Sequence, residues 1–105
     1  MTETDTITTL RRAALPVSLS TIGSPVPHPG MVEAMRAIWH GCAERTGDPA
    51  EVLPTNVLAM ATRAPAASLG WSGIGSIEPG DLADLVLMRT DDWRYLLQPG
   101  RCRAF

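Results

Sequence analysis

The run Val17-Ser18-Leu19-Ser20-Thr21-Ile22 opens with apolar and polar residues in strict alternation, the period of a half-buried strand. A strand must pass its backbone N–H and C=O groups to neighbours on both edges or leave them in water. The next runs of strand character, residues 83–88 and 91–97, lie more than sixty residues further on. The pattern therefore predicts one stave of a larger sheet, not a sheet that closes locally.

Around that run the period is helical. Asp5 to Ala14 carries Ile7, Leu10 and Ala14 on one stripe, with Asp5 as an N-cap candidate, and Pro16 ends it. Gly23-Ser24-Pro25-Val26-Pro27-His28-Pro29-Gly30 reads as a loop. From Met31 onward, Met31, Val32, Met35, Ile38, Trp39 and Cys42 recur at the spacing of an amphipathic helix that ends near Arg45, with Gly47 beyond it. A second helix is expected after Leu53-Pro54-Thr55, with Thr55 as N-cap and Val57, Leu58 and Ala61 on its apolar face. A short third piece runs from Pro65 to Leu69 and stops at Gly70. Glu78-Pro79-Gly80-Asp81 fits a type II turn, because proline fixes a negative φ and glycine accepts a positive one.

With 105 residues, one small domain is the ceiling, and 45% apolar against 19% charged residues describes a globular chain. Nine basic residues, all Arg, oppose eleven acidic ones for a net charge of -2, which gives no footprint for nucleic acid or an anionic membrane. No apolar run is long enough to span a bilayer, and the polar start Met1-Thr2-Glu3-Thr4-Asp5 is unlike a secretory signal. The expected compartment is cytoplasmic. Cys42 and Cys102, sixty positions apart, read as reduced thiols.

Two stretches carry a resemblance. Thr62-Arg63-Ala64-Pro65-Ala66-Ala67-Ser68-Leu69-Gly70, followed by Gly75-Ser76-Ile77-Glu78-Pro79-Gly80-Asp81-Leu82-Ala83-Asp84-Leu85-Val86-Leu87, resembles the C-terminal signature of the metal-dependent amidohydrolase superfamily. With Gly47-Asp48-Pro49 and Val57-Leu58-Ala59-Met60-Ala61-Thr62, the chain is most similar to the aminohydrolase and chlorohydrolase branch, which acts on purine, pyrimidine and triazine rings. Imidazolonepropionase-like enzymes come second. The resemblance implies an α/β fold, the end of a TIM barrel with its last strand at 17–22 and the helices after it. It divides the chain into 1–71, the C-terminal part of the (β/α) barrel, and 72–105, strands of an accessory β domain and a tail.

The same resemblance implies a zinc or other divalent metal in the full-length family, held by a His-x-His pair, further histidines and an Asp at the end of the last strand. Such a metal needs three or more converging ligands to activate water. This sequence has no His-x-His, its histidines being His28 and His40, and the position matching the Asp is Ile22, which can neither ligate nor accept a proton. No catalytic residue, metal ligand or bound cofactor is therefore expected in this chain. His28, in the loop after the strand candidate, is the one candidate substrate contact. His40 reads as a solvated or edge-of-core residue, Gly73-x-Gly75 as a turn, and Asp84 as a residue that fixes backbone at a sheet edge. Two functions follow as expectations: a truncated or degenerate amidohydrolase-like chain, inactive alone, whose parent hydrolyses non-peptide C–N bonds by deaminating a heterocycle; or a non-catalytic subunit that completes its fold with another polypeptide or as a homo-oligomer.

Overall fold

The longest apolar stripe in the sequence becomes the longest helix. In a computed structural model, which describes residues 3–21 and 30–89, helix α1 spans Glu3–Arg12, α2 Met31–Thr46, α3 Pro54–Ala61 and α4 Arg63–Ser68. α1 packs on α2, α2 on α3 and α3 on α4. Ile7 of α1, Cys42 of α2, Val57 and Met60 of α3 and Val52 of the connection between them form the buried core, with Met35, Ile38 and Trp39 packed at its margin. Each such side chain taken from water contributes about 1.5–3 kcal/mol. Cys42 is fully enclosed, and the Thr8 hydroxyl points its Oγ1 at Cys42 Sγ, 3.9 Å away.

Local chemistry sets the helix ends. Gly47 closes α2 at φ 69°, its N–H donating to the Ala43 carbonyl, as its position after the apolar stripe predicts. Pro54 opens α3, where a missing N–H costs nothing, and Asn56 Oδ1 reaches back to accept from the Leu53 N–H at 2.9 Å. Thr55 thus lies inside the helix and is not its cap. Asp5 is likewise inside α1 rather than capping it. Its carboxylate accepts from Arg45 Nε and, at 2.8 Å, from Arg45 Nη2, and so ties α1 to the last turn of α2.

The α/β expectation is overturned. Among the described residues there is no strand and no sheet. The run from Leu15 to Thr21 forms no regular element but keeps its alternation, with Val17 and Leu19 packed toward the core and Ser18 and Ser20 exposed. Its backbone bonds include one from the Leu15 N–H to the Leu10 carbonyl and one from the Leu19 N–H to the Met60 carbonyl, each 2.9 Å, beside a contact of 3.2 Å between the Ser18 and Ser68 hydroxyls. The alternation is that of a strand, but its partner is the end of a helix, so no ladder forms. Residues 83–88 fail for the opposite reason. They form no regular element, and among the described residues they are left largely uncovered: Val86 is 85% exposed and Leu87 98%. Ile22 and the second strand candidate, 91–97, lie outside the described residues.

Between α4 and that run the chain folds into turns. Gly80 adopts φ 99° and the Asp81 N–H donates to the Glu78 carbonyl at 3.1 Å, in keeping with the type II turn predicted over Glu78 to Asp81. Gly75, at φ 88°, rests against the start of α4: a Cβ there would stand 2.8 Å from Arg63 Cα and 3.1 Å from Arg63 N and the Thr62 carbonyl.

Two outcomes are expected from urea denaturation. Val57→Ala, which opens a cavity in the core, lowers stability by about 2 kcal/mol; an unchanged midpoint would contradict the placement of the core. Gly47→Ala and Gly75→Ala both force alanine into positive φ, at about 1 kcal/mol, but only the latter meets backbone atoms. Gly75→Ala is therefore expected to cost distinctly more, and equal losses would show that residues 72–82 are not seated on α4.

Candidate functional site

A hydrolytic metal centre would need donors brought to one point, and the fold can be asked where it puts each of them. His40 stands on the exposed side of α2, its ring 4.8 Å from that of Trp39 in a tilted contact. Of the solvated and edge-of-core places expected for it, this is the solvated one. Cys42 is sealed in the core as a free thiol.

The carboxylates are dispersed and several are already engaged. Asp5 is held by Arg45. Glu51 accepts from Arg12 Nε at 2.9 Å, and this bond and its charge hold the guanidinium still further above its ordinary value. Asp48 Oδ1 accepts from the Ala50 N–H at 2.8 Å, turning the chain between α2 and Val52. Asp81 Oδ2 accepts from Ser76 Oγ at 2.9 Å and braces the loop that Gly73 and Gly75 bend. Each of these bonds does structural work on the chain itself.

Among the described residues no three His, Cys, Asp or Glu side chains come together as a metal-holding group. The described residues on their own do not fit a divalent metal, because one or two isolated oxygens cannot displace enough of its water to hold it. His28, the candidate substrate contact, and Ile22, at the position of the family's carboxylate, lie outside the described residues. The donors of the region after α4 are likewise not gathered. Asp84, expected to fix backbone at a sheet edge, has no sheet to fix; its N–H donates to the Leu82 carbonyl in a tight turn at 2.9 Å.

Among the described residues, an open groove of about 500 Å³ is lined by Gly70, Trp71, Ser72, Ile74, Leu82 and Asp84. Trp71 enters it directly after α4, its N–H bonded to the Ala66 carbonyl at 2.9 Å and its residue largely exposed. The groove is apolar with one carboxylate at its rim, so it offers contact area and no proton-transfer pair.

Beside it runs the feature that residue-by-residue reading of chemistry passed over: Ile77, Leu82, Leu85, Val86, Leu87 and Met88, all exposed. The signal was in the sequence, because an unbroken apolar run is characteristic of strands buried on both faces, and the described residues supply neither face. No described helix is long and apolar enough to cross a membrane.

No curated protein matches the chain. The sequence pattern of the amidohydrolase family, by contrast, matches residues 4–101. That span takes in all four helices, the groove and the apolar run, and the chain therefore belongs to the amidohydrolase family.

Proposed function

We propose that this chain supplies the C-terminal scaffold of an amidohydrolase and none of its metal centre. The family's chemistry is hydrolytic, and the parent activity on this reading is metal-dependent hydrolysis of a non-peptide C–N bond in the cytoplasm. The signature from Thr62 to Leu87 favours the branch that deaminates heterocycles. The observation that carries the proposal is the dispersal of donors: the described carboxylates and His40 stand apart, several of them bonded into the fold.

Ile22 supports the same conclusion from the sequence side. An aliphatic side chain at the position of the family's carboxylate can neither hold a metal nor take a proton from its water. Restoring every other ligand from elsewhere would leave the centre short of that group. On this reading the chain is a truncated or degenerate member, inactive alone, and His28 is at most a contact to substrate.

A second reading is favoured by a separate observation, the apolar surface at 77–88. Exposed patches of this kind mark interaction sites, so the chain would act by joining a polypeptide, either a companion or a further copy of itself.

Metal analysis tests the first reading. After loading with zinc, iron or manganese and exhaustive dialysis, the chain is expected to retain less than one equivalent by inductively coupled plasma mass spectrometry, and to release no ammonia from aminopurines, aminopyrimidines or aminotriazines. One firmly held metal per chain would overturn the proposal.

A further inference from the structure

Helix α1 lies over the Cys42 thiol. The Thr8 hydroxyl points at Cys42 Sγ, and Ile7 belongs to the cluster that closes around it. Of the described side chains of α1, Ile7 and Thr8 are the buried ones, and among the described helices α1 packs on α2 alone. The ion pairs that join it to α2 and to the chain before α3, Asp5 with Arg45 and Arg12 with Glu51, are exposed, and pairs of that kind contribute little. A helix of ten residues does not persist alone in water, so α1 is held in place by a small margin.

The joint behind α1 is strained. Ala14 adopts φ 56°, and among the described residues it is the one non-glycine with a positive φ. It does so because it fills the left-handed position of the helix cap: the Ala14 N–H donates to the Arg11 carbonyl and the Leu15 N–H to the Leu10 carbonyl, each at 2.9 Å. Glycine takes that position freely, whereas the Cβ of alanine meets a steric penalty there. Residues 13–16 are all exposed, so no packing of their own fixes the joint. We infer that α1 is a strap hinged at Ala14, which opens as a unit while α2 and α3 stay folded and thereby uncovers the Cys42 thiol. Opening lets Ala14 return to a negative φ and gives up one buried apolar side chain, Ile7, with two exposed pairs; Val52, Val57 and Met60 keep their places between α2 and α3. Ionic strength is the lever, because screening weakens both pairs. Closed, the strap keeps the thiol from disulfide reagents; open, it admits them.

Thiol labelling reads the opening directly. In a Cys102→Ser background, where Cys42 is the remaining thiol, excess dithiobis-nitrobenzoate is expected to label Cys42 below the urea unfolding transition. The rate there should rise with urea far less steeply than global unfolding does, because a small part of the buried surface is exposed. Ala14→Gly keeps every side-chain contact of α1 and is expected to slow labelling about threefold, the relief of Cβ strain less the added freedom of glycine in the open form. Asp5→Asn is expected to quicken it about twofold. Sodium chloride at about 0.5 M should quicken it as well, and should lose that effect in the Asp5→Asn/Glu51→Gln double variant. A rate that follows global unfolding in urea, or that Ala14→Gly leaves unchanged or raises, would overturn the inference. A thiol that stays unlabelled until the whole chain unfolds would do the same. Metal retention plays no part in these outcomes, so the strap and the proposed lack of a metal centre fail separately.

Discussion

Enclosure of Cys42 is the constraint on which the described fold depends. Its Sγ is the place where α1, α2, α3 and the connection through Val52 come together, and Ile7, Val57 and Met60 close around it. A short helix such as α3 is marginal in isolation, so these helices persist by burying one face against each other. The two long-range ion pairs, Asp5 with Arg45 and Arg12 with Glu51, lie at the rim of the same packing. Exposed pairs contribute little on their own, and they align α1 on α2 and on the chain leading to α3 rather than hold it there.

That core also decides what the rest of the chain can do. Leu15 to Thr21 is drawn across the end of α3 by Val17, Leu19 and the bond to the Met60 carbonyl. Residues 72–82 are seated on α4 through Gly75, and among the described residues Val86 and Leu87 stay almost fully exposed. The chemistry is as dispersed as the packing is local: the acidic residues of α1, the 47–53 connection and the 73–82 turns face different neighbours.

Much of this was legible in the residues. The spacing from Met31 to Cys42, the stop at Gly47, the glycine end at Gly70 and the Pro79-Gly80 turn all rest on local backbone preferences, and the structure keeps them. The family itself was readable from the run between Thr62 and Leu87. What failed was the α/β assignment, because alternation at 17–20 and an apolar run at 83–88 report which side chains want burial, not whether a ladder partner exists. Caps misled for a similar reason: Asp5 and Thr55 have the right chemistry, but Arg45 captures the first and Pro54 starts the helix ahead of the second. Ion pairs about forty residues apart leave no mark in a local pattern.

Amide hydrogen exchange on a dilute sample reads this distribution of order most directly. The account predicts the slowest exchange within 31–46 and 54–61, a Leu19 amide slower than that of Ser18, and near-unprotected amides at Leu85, Val86 and Leu87. Protection at 85–87 equal to that of α2 under conditions where the chain is monomeric would contradict it, since the chain itself would then be completing what this account leaves to a partner.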